Sequence, residues 1–125
     1  MNEPPVFSFD EVVTTAIKML ITLGFSPGEQ VQVLGGTGPF AGTQDDVHDY
    51  IVRTNHRTVF RRCEIIFSIA IVLTELFEGK QQELWRWMRV RHPSFDGESM
   101  HSLMTSGKPS DMDRALQLAH DAARS

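Results

Sequence analysis

Cysteine is almost missing from these 125 residues: Cys63 stands alone, so no disulfide can form among them and the core has to hold by packing. A chain of this length is expected to bury roughly two thirds of its unfolded surface, enough for a core without disulfide or metal. Long apolar runs are lacking too. The longest, IIFSIAIVL at residues 65–73, is about half of the ~20 residues a membrane-spanning helix needs, so no span is expected. The opening MNEPPVFSFDE has neither the basic nor the apolar part of a signal peptide, which with the single thiol predicts a cytoplasmic protein. Histidines are present, but His48, His56, His92, His101 and His120 fall at no metal-ligand spacing and have no companion cysteine pair. Neither a metal nor a cofactor is expected.

Basic residues are scarce in the first part of the chain. Residues 1–52 hold one basic residue against seven acidic, for −6, whereas residues 53–91 hold eight against four, for +4. The remainder is at −2, and the whole at −4 with a pI near 5.7. That balance excludes a nonspecific nucleic-acid coat and directs any anionic partner to the middle segment.

What is present is helical signal throughout. Ser8 and Glu11 form a capping pair ahead of apolar positions at helical spacing, predicting a first helix from Phe9 to Leu23 stopped by Gly24. Ser26, Pro27 and Glu29 open a short second helix ending at Gly35. Thr43 with Asp45 and Asp46 predicts a third from Gln44 to about Val52. From His56 to Phe77 the pattern is apolar almost all round, as in a helix buried on every side. The β-branched run within it has no comparable second strand to pair with. KQQELWRWMR continues as a further helix, RHPSFDGES is a loop, Ser99 caps a short helix ending near Gly107, and Ser110 with Asp113 caps the last. The expected class is all-α: one compact multi-helix domain without repeats, divided for description into residues 1–55 and 56–125.

Few residues carry recognisable chemistry. Gly36, Gly38 and Ala41 match the dinucleotide-binding spacing G-x-G-x-x-G/A, with Val31 to Leu34 as the strand that motif requires. A pyrophosphate loop also needs a parallel sheet, and no further βαβ unit is legible, so the stretch reads as a glycine-rich interhelical turn. His48 beside Asp45, Asp49 and Tyr50 reads as a solvated polar face. Cys63 lies in the most apolar run and reads as inert packing. No enzyme is expected. Arg53, Arg57, Arg61 and Arg62, spaced mostly on one helical face, either contact phosphate or form a solvated helix start that pairs with the acidic first half. Trp85 and Trp87 point in different directions on a helix, so one is a candidate partner anchor.

The segment ELFEGKQQELWRWMRVRHPSFDGESMHSLMTSG resembles the C-terminal toxin-binding domain of the MbcA/ParS/Xre antitoxins. Leu76 and Phe77, Trp87 and Met88, Pro93, Phe95, Gly97, Ser99, Leu103, Met104 and Gly107 follow that family's order and spacing. Met100 stands where the family commonly has proline. Upstream, Leu23, Gly24, Phe25, Ser26, Glu29, Leu34 and Gly35 resemble the family's helix-turn-helix opening, extending the likeness to about residues 12–120. Where the family carries a recognition helix, this chain reads GTGPFAGTQDDVHDY, poor material for a major groove.

The resemblance implies a divergent helix-turn-helix-like region over residues 1–55, then a long buried helix and a toxin-binding half over 56–125. It further implies a non-catalytic homodimeric antitoxin that silences a RES-type, NAD-consuming toxin, with possible autoregulation of transcription. Partner contact is expected at Trp87, Arg89, Arg91, Phe95 and Arg114. The alternatives are a stand-alone interaction protein that sequesters another regulator, and a DNA-binding repressor using Arg53, Arg57, Arg61 and Arg62.

Overall fold

The structure, a computed structural model, describes residues 8–36, 40–54 and 56–124. It is all-helical: α1 (Phe9–Thr22), α2 (Pro27–Val33), α3 (Gln44–Val52), α4 (His56–Phe77), α5 (Gln81–Trp87), α6 (Met100–Thr105) and α7 (Pro109–Arg124), with a 3₁₀ turn at Pro93–Phe95. Among the described residues there is no strand, only an isolated antiparallel bridge between His92 and Glu98. No helix is long and apolar enough to cross a membrane among those residues.

Local chemistry sets the helix starts. Ser8 Oγ accepts the Glu11 N–H at 3.2 Å. Ser26 and Glu29 form a reciprocal capping box with Pro27 at the first helical position, satisfying amides that a helix leaves without internal partners. Asp46 accepts from the Thr43 N–H at 2.8 Å and from its hydroxyl. Ser99 and Ser102 exchange equivalent bonds at the start of α6.

The last helix departs from expectation. It begins at Pro109 rather than after Ser110, and the Lys108 carbonyl accepts from the Asp111 and Met112 amides. Proline lacks the N–H that the first helical position leaves unused, so it outcompetes the serine as the entry residue. Val31 to Leu34 is likewise not a strand: Val31 and Val33 are buried positions of α2, and Leu34 is its C-cap. The prerequisite of the dinucleotide motif is therefore missing. Gly38, its central glycine, lies outside the described residues.

α4 is the central element, packed by both α1 and α7, while α2 contacts α3 and α6. One apolar cluster runs from Val13 and Leu20 in α1 through Ile66, Ile69 and Leu73 in α4 to Met112 and Ala119 in α7. The core is thus continuous across the boundary between residues 55 and 56. The expectation that α4 is buried on every side is corrected here. Phe60 is 44% exposed and Ile71 54%, because α1 and α7 pack on other sides of the cylinder and leave an outer strip only partly covered; Leu76, 42% exposed, lies on a different side near the end of the helix. Phe60 and Ile71, eleven residues and about three turns apart, share that strip with Glu64 and Glu75.

Two polar contacts hold the smaller helices. Gln30, fully buried, donates to the Phe25 carbonyl at 2.9 Å and exchanges amide hydrogen bonds with Gln44, joining α2 to the start of α3. His101 Nε2 lies 2.5 Å from Glu29 Oε2, joining α6 to α2. Partial burial of Glu29 opposes its ionisation, but the Ser26 amide, the nearby His101 and the Ser26 hydroxyl outweigh that and lower its pKa from the ordinary 4.5. Folding therefore favours the carboxylate, so its contribution is complete above 4.5 and is lost as pH falls below that value. Glu29→Gln should accordingly flatten the loss of stability between about pH 6 and about pH 3, read as the urea midpoint at each pH.

Candidate functional site

The expected partner residues gather where α5 ends and α6 begins. Thr22, the last residue of α1, leaves its carbonyl free of helical partners. Trp85 Nε1 at 2.8 Å and Gln81 Nε2 both donate to it. The indole lies so close to Gly24 that a Cβ there would sit 2.8 Å from Trp85 Cδ1, and Gly24 has φ +91°. Only glycine combines that backbone with that approach. Trp85 nevertheless keeps 43% of its surface exposed.

Beyond α5 the chain turns through Pro93–Phe95, with Asp96 left-handed at φ 59° and Gly97 at 77°. Reciprocal pinning holds this loop: His92 N donates to Glu98 O at 3.1 Å, Gly97 N to His92 O at 3.0 Å, and His101 N to Met88 O at 2.9 Å. A groove of about 400 Å³ follows, lined by Arg89, Arg91, the Asp96–Ser99 stretch, His101 and Ser102. A smaller cavity of about 170 Å³ shares Arg89 and His101 with it and reaches Trp85. Inside the groove Ser102 Oγ donates to Glu98 Oε2 at 2.5 Å.

The five expected contact residues divide sharply. Arg89 and Arg91 are exposed and, among the described residues, make no side-chain hydrogen bond or ion pair. Trp87 is half-buried between Phe77 and His92, with ring centroids at 5.9 and 5.5 Å. Phe95 is half-buried against the core. Arg114 bonds Asp111 at 3.1 Å, Asp96 at 3.0 Å and the Phe95 carbonyl at 3.2 Å, fastening the loop to α7. Three of the five thus shape the surface and two are open on it. Trp85, Glu98, His101 and Ser102 were not singled out by sequence as contact residues. Trp85 carried a signal as one of two tryptophans, but which indole faces outward depends on packing against Gly24.

The arginine set divides as well. Arg53 is the exposed C-cap of α3, and Arg57 and Arg61 are exposed on α4. Arg62 is only 6% exposed and donates to the carbonyls of Val33 at 3.2 Å and Gly107 at 2.6 Å. It therefore belongs to the interior and not to a solvated cationic face. Burial lowers its pKa below the ordinary arginine value.

The remaining candidates are quiet. His48 lies 2.8 Å from Asp10 on α1 and 3.6 Å from Asp49, a tie between helices. Cys63 is buried, and burial followed by the Glu64 charge pushes its thiol up to about 12, which keeps it protonated and poorly nucleophilic. Among the described residues no cluster of three metal-ligating side chains occurs. In comparisons with known proteins the sequence matches no family model and no curated protein.

Proposed function

We propose that this chain is a binding protein without catalytic activity of its own, which neutralises a partner protein by contact through the surface around Arg89 and Arg91. The observation that carries the reading is a pair of exposed, unengaged guanidiniums beside a pinned groove of about 400 Å³. Exposed Trp85 and Val90 lie on the same stretch. Arginine and tryptophan are the side chains enriched at interface hot spots, and a loop held by backbone bonds loses little entropy on binding. The resemblance to the MbcA/ParS/Xre antitoxins, resting on motif residues alone, names the partner: a RES-type toxin that consumes NAD. Phe60 and Ile71, exposed on one face of α4, support the homodimer that the same resemblance implies.

The test is recovery of the tagged chain from its native cells, with the bound partner identified by mass. A small protein whose NAD consumption appears when it is stripped from the complex, and disappears when this chain is added back, is the expected result. Light scattering of the complex should give two copies of the chain. Arg89→Glu with Arg91→Glu should weaken inhibition at least about tenfold, or roughly 1.4 kcal/mol, with helicity unchanged. A partner that leaves NAD untouched, or unchanged inhibition by the double variant, would overturn the assignment.

A further inference from the structure

A different part of the molecule gathers three guanidiniums around one cavity. Between the first turns of α4 and the start of α7 lies a cavity of about 280 Å³, whose lining includes Arg57, Arg61, Arg62, Ile65, Met112 and Asp113. Arg57 and Arg61 stand one helical turn apart on α4, exposed and without hydrogen bond or ion pair among the described residues. Like charges at that spacing repel. Arg62 behind them is 94% buried by its 6% exposure, yet both its partners are neutral carbonyls. No carboxylate among the described residues lies within ion-pair distance of it.

The carbonyls of Val33 and Gly107 satisfy hydrogen bonds of Arg62 but leave its full charge without a counter-charge, beside two more guanidiniums that repel one another, and a bound anion would balance that charge. Asp113 is the one carboxylate on the lining, so the three arginines leave the wall at +2. That value suits a single dianionic group, such as a phosphomonoester near neutral pH. Arginine in place of lysine suits bidentate contact with phosphate oxygens. The space exceeds what a phosphate needs, and Ile65 and Met112 supply an apolar wall for the rest of a ligand. Arg62 lines the cavity but is only 6% exposed, so contact with it asks for a group small enough to enter, whereas a duplex backbone lying across the surface would meet the exposed Arg57 and Arg61.

We infer that this cavity binds a small phosphomonoester, with its phosphate held by Arg57, Arg61 and Arg62 and its apolar body against Ile65 and Met112. The site is assembled from elements other than those around Arg89 and Arg91, so it stands or falls apart from the partner-binding reading. Titration of the full chain with phenyl phosphate, followed by calorimetry, tests it. Saturable one-to-one binding is expected, weaker by at least about tenfold for Arg57→Gln with Arg61→Gln and unchanged for Arg89→Gln with Arg91→Gln. Inorganic phosphate, lacking the body, should bind more weakly than phenyl phosphate. The inference is overturned by absence of saturation up to roughly 10 mM, by equal loss in both double variants, or by equal affinity for the two probes. It is also overturned if only duplex DNA binds, with a salt-dependent affinity that the Arg57 and Arg61 changes abolish.

Discussion

Leu73→Ala is expected to lower the free energy of unfolding by about 2–5 kcal/mol, whereas Leu76→Ala, three residues further along the same helix, should change it by about 0.5 kcal/mol. The two leucines are equivalent in sequence terms, since both belong to the apolar pattern of α4. Leu73 is fully buried in the central cluster, while Leu76 is 42% exposed. Truncating Leu73 removes transfer free energy and leaves a void that the close-packed surroundings fill only partly. Truncating Leu76 removes side-chain surface that water already reaches. Urea unfolding monitored by circular dichroism reads both, the midpoint shift at constant slope giving the change. Comparable losses at the two sites would mean that Leu76 is covered after all, as by a second copy packed over the end of α4.

The second large effect is at Arg62. Arg62→Met, which keeps volume and apolar stem, should cost about 2–4 kcal/mol because the buried Val33 carbonyl and the partly buried Gly107 carbonyl both lose charge-assisted hydrogen bonds. One of them, Val33 O, lies at the end of α2, where the final carbonyls have no helical acceptor role to fulfil and the helix dipole favours a cation. The other, Gly107 O, lies in the connection between α6 and α7. One side chain from α4 thereby secures the end of α2 and the approach to α7 together. Arg62→Lys should recover less than half of the loss, since a single ammonium cannot span both carbonyls as the planar guanidinium does. Full recovery by lysine, in the same urea experiment, would show that charge alone matters there.

Much of the architecture was legible because it depends on local chemistry. Ser26, Pro27 and Glu29 state a helix start within four residues, and α2 begins at Pro27 accordingly. The bounds of α4 at His56 and Phe77 follow from where the apolar pattern starts and stops. Ser110 misled for a related reason: a good capping residue stood next to a proline that was better placed to open the helix. The surface proposed for a partner was legible only in part. Arg89, Arg91, Arg114 and Trp87 were expected together as contact residues, but in the structure only Arg89 and Arg91 are open, while Arg114 and Trp87 are engaged by Asp96 and Asp111 and by Phe77 and His92. Asp111 stands three residues before Arg114 on α7, within reach of helical spacing, but Asp96, Phe77 and His92 lie outside the helix of the residue they engage, where spacing along one helix says nothing.

The sequence by itself determined the helical class, the starts of all helices but the last and most of their bounds, and the packing role of Cys63, because caps, prolines, glycines and apolar periodicity act over a few residues. Only the tertiary structure decided which side chains are available. It turned Arg62 inward while Arg57 and Arg61 stayed out, exposed Ile71 while burying Ile69, and left Trp85 more open than Trp87. A helix presents every side chain outward from its axis, and availability is set by which neighbours the rest of the chain brings against each face.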